Sequence, residues 1–183
     1  MLKQLLYTDL ERQFELENLP GWKATPLRLL KRLLHPRFLP LFLLRSARVA
    51  YLRHIPAVPA LLTYLNIVLF GLEISPKCDI GPGLFLPHTY GTVLGAWRIG
   101  ENVTIFQGVT LGAKSVDMGF NSGLRPDIGD HVVIGAGAKI LGGIRIGDRV
   151  TIGANAVVLA DVPPYDTVVG IPARSIKKEI FTN

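Results

Sequence analysis

The chain is poor in cysteine: Cys78 is the only one in 183 residues. A single thiol excludes an internal disulfide framework and fits a reducing, cytoplasmic setting. It also leaves no thiol pair for a metal. Of four histidines, only His88 and His131 lie beyond residue 70, at unrelated positions, so no metal is expected. Acidic residues are missing from Lys23 to Arg53, a stretch that holds Lys23, Arg28, Lys31, Arg32, Arg37, Arg45, Arg48 and Arg53. Charge of either sign is missing from Ile55 to Leu72. Those eighteen residues just reach the length at which a membrane-spanning helix must be weighed. Pro56, Pro59 and Asn66 interrupt the run and Glu73 follows it, which makes a span the weakest reading. The start, Met1-Leu2-Lys3-Gln4 with Asp9 and Glu11 behind it, lacks the pattern of a cleaved leader.

A repeat is present instead. Ile128, Ile134, Ile140, Ile146, Ile152 and Val158 follow one another at a spacing of six. Val132, Ala138, Ile144, Val150, Ala156 and Val162 come four residues after each. A helix with 3.6 residues per turn cannot keep every sixth residue on one face. A hexapeptide period is the mark of a parallel β-helix, in which each short strand buries one aliphatic side chain and then turns a corner. The period extends backward through Ile99, Ile105 and Leu111, and through Ile74, Ile80 and Leu86. It breaks twice. From Leu86 to Val93 the step is seven, across Pro87-His88-Thr89-Tyr90-Gly91, and from Leu111 to Ile128 it is seventeen. Solenoids extrude insertions as loops, often on the binding face, so the chemistry is sought at these two breaks.

Charge divides the chain. Residues 71–183 carry ten basic and ten acidic residues, so the net charge of +6 resides in residues 1–70. That part reads as helical around breaks at Pro20-Gly21, Pro36, Pro40, Pro56 and Pro59. Solenoid ends need caps, so capping is one role for these helices. A basic, leucine-rich surface helix lying on an anionic membrane is the other, each Lys or Arg adding about 1 kcal/mol near such a surface. Both stay open. Nucleic acid is a weaker partner, because leucines rather than stacking aromatics separate the charges. The expected domains are a helical region over 1–70, a β-helix over 71–174 with a loop extruded at about 113–127, and a tail over 175–183.

His88 is displaced from the regular wall by the first break. A histidine with an ordinary pKa near 6.5 suits a general base at neutral pH. It needs a partner to fix its tautomer, and Glu73, somewhat less than one coil earlier, could meet it; the plain alternative for Glu73 is a surface carboxylate. His131 reads as an exposed corner, and His35 and His54 have no partner in view. Cys78 has no base beside it and reads as a small buried residue. The loop after Leu111 is glycine-rich and mobile in composition, a place to grip a substrate. Arg125 stands where that loop re-enters the wall.

The segments Glu73-Ile74, Pro87-His88, Phe106-Gln107-Gly108-Val109-Thr110-Leu111-Gly112, Arg125-Pro126-Asp127-Ile128, Ile134-Gly135-Ala136-Gly137-Ala138 and Ile171-Pro172-Ala173-Arg174 carry a resemblance. From Gly71 to Lys178 the chain resembles the hexapeptide acyltransferases with a left-handed β-helix, in the serine acetyltransferase branch. The resemblance implies a homotrimer with acetyl-CoA between subunits and no metal. It implies His88 as the base that deprotonates an acceptor hydroxyl, with Glu73 in place of the family's aspartate. It puts Gly112, Ala113, Ala136 and Ala154 around the pantetheine arm, Arg174 and Lys178 near the nucleotide phosphates, and Arg125 and Tyr90 beside the acceptor. Pro87 stands where the branch has an aspartate, and Leu124 and Arg125 stand where it has the arginine and histidine that hold the amino acid. The tail lacks the terminal isoleucine that docks into a cysteine-synthesising partner, so no such complex is expected.

With that clamp altered, the sequence points first to acetyl transfer onto a sugar hydroxyl of a surface-polysaccharide precursor, as in the colanic acid acetyltransferase. The acceptor would be a carbohydrate, free or lipid-linked, met at the inner face of the plasma membrane. A serine O-acetyltransferase with a rebuilt clamp is the alternative, and a non-catalytic scaffold the second.

Overall fold

The computed structural model describes residues 2–19 and 21–176. Four helices come first: α1 (Leu2–Leu16), α2 (Pro26–Arg32), α3 (Leu39–Leu52) and α4 (Val58–Phe70). Proline begins three of them, with Pro26, Pro40 and Pro59 in the first turn of α2, α3 and α4. There its missing N–H costs nothing and its fixed φ suits the helix. Pro40 and Pro59 therefore start elements that the sequence treats as interrupted. The Thr25 hydroxyl caps α2 by accepting from the Arg28 N–H at 3.3 Å. Gly71, in the left-handed region at φ 60°, ends α4 and hands the chain to the first strand.

α4 spans thirteen residues, about 20 Å at 1.5 Å per residue, against a hydrocarbon core of about 30 Å. No helix of the described residues is long and apolar enough to cross a membrane.

From Leu72 onward the chain winds into a left-handed parallel β-helix of three sheets. The first sheet stacks β1 (Leu72–Ile74), β3 (Thr92–Leu94), β6 (Thr110–Gly112), β9 (Lys139–Leu141) and β12 (Val157–Val158). Its inward ladder is Ile74, Leu94, Leu111, Ile140 and Val158. The second sheet brings Ile80, Ile99, Ile128 and Ile146 into register, and the third Ile105, Ile134, Ile152 and Val168. The hexapeptide positions thus face the axis, and the residues four places on, from Val132 to Val162, are buried beside them. One register assignment is corrected. Leu94 faces in and Val93 faces out, so the first break inserts two residues before Leu94, and a short step of five to Ile99 restores the frame. The crowded Pro87-His88-Thr89-Tyr90-Gly91 segment needs that extra length to swing clear of the wall.

The helices close the open end of the solenoid. Leu6, Leu10, Phe14, Phe38, Leu41 and Leu44 belong to the same buried cluster as Leu72, Leu84 and Leu86. A buried ion pair pins them there. Arg45 of α3 donates to both Asp9 carboxylate oxygens, at 2.9 Å each, and to the carbonyls of Ile80 and Gly81. Asp9 Oδ1 also accepts from the N–H groups of Gly83 and Leu84 at 2.9 and 3.1 Å. Burial pushes the Asp9 carboxyl above the usual range; the Arg45 charge and these bonds pull against it. Other basic residues are engaged too: Arg32 pairs with Glu17, Arg48 with Asp79, and Arg28 lies over the Trp22 ring. Part of the basic excess of the first 70 residues therefore binds the cap together.

Candidate active site

The corners that surround the site are built on left-handed backbone. At one corner Gly71, Gly91, Gly108, Gly137 and Asn155 stack on successive coils with φ between 57° and 73°. Space explains the glycines as much as φ does. A β-carbon on Gly137 would stand 2.2 Å from Asn155 Oδ1, and one on Gly108 would stand 3.5 Å from the Gly137 Cα. Beside this column run Tyr90, Gln107 and Ala136, each carbonyl accepting from the N–H of the next coil at 2.8 to 3.1 Å. A second left-handed column, Gly83, Asn102, His131, Arg149 and Tyr165, places His131 on an exposed corner, as its sequence context suggests.

The first break opens a groove of about 980 Å³ between the coil and the cap. Leu86-Pro87-His88-Thr89-Tyr90-Gly91 and Gln107 form one wall, and Ile67 to Gly71 with Pro36 and Arg37 form the other. The Thr89 hydroxyl fixes the loop by donating to the Phe70 carbonyl at 2.9 Å. His88 is exposed in this groove, and no hydrogen bond within the described chain engages its ring. Tyr90 joins it and packs against Gly71.

Glu73 is placed otherwise. It points outward from β1, in register with Val93, outside the groove, and no hydrogen bond links it to His88 within the described chain. Ala136 and Ala154 lie on the edge below Gln107, with the Asn155 N–H bonded to the Ala136 carbonyl. Gly112 and Ala113 lie at the other end of the first sheet, where β6 leaves the wall, and the space off the Gly112 Cα is open. Arg174 is exposed on the last strand, β14 (Arg174–Ser175). Lys178 and the rest of the tail from 177 lie outside the described residues. The described residues contain no group of three or more metal-ligating side chains.

Arg125 is committed elsewhere. Its Nε donates to Asp117 at 2.8 Å, Nη2 to the Asp117 carbonyl and Nη1 to the Gly95 carbonyl, and its guanidinium lies 4.2 Å from the Phe120 ring centre. It staples the loop after Leu111. That loop, mobile by composition, buries Phe120 and carries a 3-10 turn over Ser122–Leu124. Cys78 is 1% exposed and its thiol is pushed by burial to about 12, so it has almost no thiolate at neutral pH. Arg37, in the groove, escaped the sequence reading, because only the fold brings the link between α2 and α3 against the first coil.

The model for bacterial transferase hexapeptide repeats (six repeats) matches residues 125–160. A serine acetyltransferase of Synechococcus elongatus is 47% identical over 146 residues, 79% of this chain and 58% of its own length. Soybean serine acetyltransferase, solved as the apoenzyme, superposes with a TM-score of 0.80 at 35% identity, covering 96% of this chain and 69% of that one. The chain belongs to the serine acetyltransferase family. Another solved member, in complex with CoA, superposes with a TM-score of 0.80 at 30% identity over 96% of this chain and 69% of that one. The chain spans only 58% of its cyanobacterial relative's length.

These relatives overturn the sugar acceptor. That expectation rested on the altered clamp and on the basic first half, and the structure gives each another cause. Arg125 serves the loop, and Arg45, Arg32 and Arg48 serve the cap. Neither feature speaks for a carbohydrate or a lipid-linked precursor.

Proposed function

We propose that the protein is a serine O-acetyltransferase, moving acetyl from acetyl-CoA to the serine hydroxyl. Family membership together with an unengaged His88 in an open groove is the observation that carries this reading. In it, the His88 imidazole takes the hydroxyl proton as the serine oxygen attacks the thioester carbonyl. The C–S bond breaks, and the imidazolium returns the proton to the departing CoA sulfur. Attack is direct, because the one thiol of the chain is buried and protonated, the Thr89 hydroxyl next to His88 is committed to the Phe70 carbonyl, and within the described chain no serine or threonine hydroxyl is hydrogen-bonded to the His88 ring. Glu73, outside the groove and unbonded to His88, would orient the base only after its side chain turns toward it.

The donor would run along the edge of Ala136 and Ala154, where small side chains let a ligand approach the backbone. Gly112 and Ala113 lie at a different corner. Assembly as a trimer would give both corners a use, one from each of two neighbouring subunits.

Release of CoA from acetyl-CoA in the presence of serine tests the reading. His88→Ala should lose roughly 10²–10⁴-fold in kcat, the usual range for a general base, and keep its affinity for CoA. Glu73→Gln should lose less. Near-normal turnover by His88→Ala, or no turnover of serine by the wild type, would sink it.

A further inference from the structure

The His88 groove is almost uncharged. Its coil wall offers Leu86, Pro87, Thr89 and Tyr90, and its helix wall is the apolar end of α4 from Ile67 to Phe70. Among the described residues lining it, one side chain carries a fixed charge, and that is Arg37. Its backbone is held firmly. The Gln13 side-chain amide donates to the Arg37 carbonyl at 3.0 Å, the Arg37 N–H donates to His35 Nδ1 at 3.3 Å, and the next residue, Phe38, is fully buried. Its guanidinium has no ion pair or hydrogen bond within the described chain. Arg12, Arg28, Arg32, Arg45 and Arg48 of the cap all have partners; Arg53, also without one within the described chain, lies outside the groove. A cation presented from a pinned loop into a groove that contains the catalytic base, and left unpaired there, is suited to an anionic part of the substrate.

We infer that Arg37 binds the carboxylate of the acceptor and so selects an amino acid over a neutral alcohol. The inference rests on the serine reading above, since serine offers one carboxylate next to the hydroxyl that reacts. Arg125, with its guanidinium committed to Asp117 and Gly95, is not free for this task. A guanidinium matches a carboxylate with two parallel N–H···O bonds.

The test compares serine with serinamide, which keeps the hydroxyl and the amine but lacks the anion, in the full-length protein. The wild type should prefer serine. Charged hydrogen bonds of this kind are worth about 1.5–3 kcal/mol, so Arg37→Gln should raise the KM for serine roughly 10- to 150-fold. Its KM for serinamide and for acetyl-CoA should stay unchanged, and the preference should disappear. Arg37→Lys should keep part of it. An Arg37→Gln enzyme with the wild-type KM for serine, or with an undiminished preference over serinamide, overturns the inference alone. A wild type that turns over neither acceptor removes the serine reading and this inference with it.

Discussion

At Asp9 and Arg45 two charges are taken out of water, with side chains 0% and 3% exposed. Such a pair commonly adds little net stability, because desolvation offsets the attraction. This one does more than pair. It also meets the buried N–H groups of Gly83 and Leu84 and the half-buried carbonyls of Ile80 and Gly81, groups that would otherwise lack a partner in the protein. Removing one member should therefore be costly. Asp9→Ala is expected to lose about 3–5 kcal/mol in denaturant unfolding, the usual range for breaking a buried pair. The double replacement Asp9→Leu with Arg45→Met should not regain that loss, since the coil's four backbone groups stay orphaned; full recovery would show that the ion pair alone mattered. Neither residue stood out in the sequence. Arg45 was one of eight similar basic residues, and its partner lies 36 positions away, a separation that no local pattern encodes.

The loop after Leu111 shows the same limit one level up. Its glycines and serines read as mobile, and its order comes from contacts that composition does not reveal: Arg125 on Asp117 and Phe120, and the Asn121 side chain accepting from the Gly123 N–H at 2.9 Å. Burial works to raise the Asp117 carboxyl, but the Asn121 N–H, the bond and charge of Arg125 and the Gly119 N–H outweigh it and hold it below the usual value of 3.8. A depressed carboxylate contributes stability above 3.8 that is lost as pH falls through its lowered value. The staple should thus survive at neutral and mildly acidic pH and open only in stronger acid. Pepsin cleavage near Phe120 should rise below about pH 3.8 in the wild type. Arg125→Gln should be cut there by chymotrypsin already at pH 7. A loop equally resistant in both proteins would refute the staple. The strands, by contrast, were legible almost throughout. A period of six, repeated without slip from Ile128 to Val158, has one geometric solution, and only at the crowded His88 segment did the register fall one residue away from expectation.

Cap and solenoid form one core in the whole molecule, with Leu10, Phe14 and Phe38 packed into the cluster that continues through Ile105 and Ile152. The helices should therefore unfold with the first coils. Far-UV signal from the helices and fluorescence from Trp97, on the solenoid wall, are expected to give coincident denaturation curves in a Trp22→Phe protein, which removes the cap's own tryptophan. A helical transition well ahead of the tryptophan one would mean that the cap is an independent layer. The sequence left this role undecided, because a leucine-rich basic helix suits a membrane surface as well as a protein end, and the partners of Arg32, Arg45 and Arg48 establish only the second.

The corner column beneath His88 gives the chain something like a reading frame. Eighteen residues separate Gly137 from Asn155, and each such step returns to the same edge. Gain or loss of a single hexapeptide between Gly108 and Ala136 would keep every strand hydrophobic and every core position filled. It would also turn all that follows by one third of a revolution, carrying Ala136 and Ala154 round to another face. Three hexapeptides together would leave them in line. Folding tolerates steps of six, whereas the edge from Ala136 to Ala154 repeats at eighteen, so regular coil can be added there without moving that edge only as a whole turn, and other insertions, like the one between Leu111 and Ile128, must leave the wall as loops.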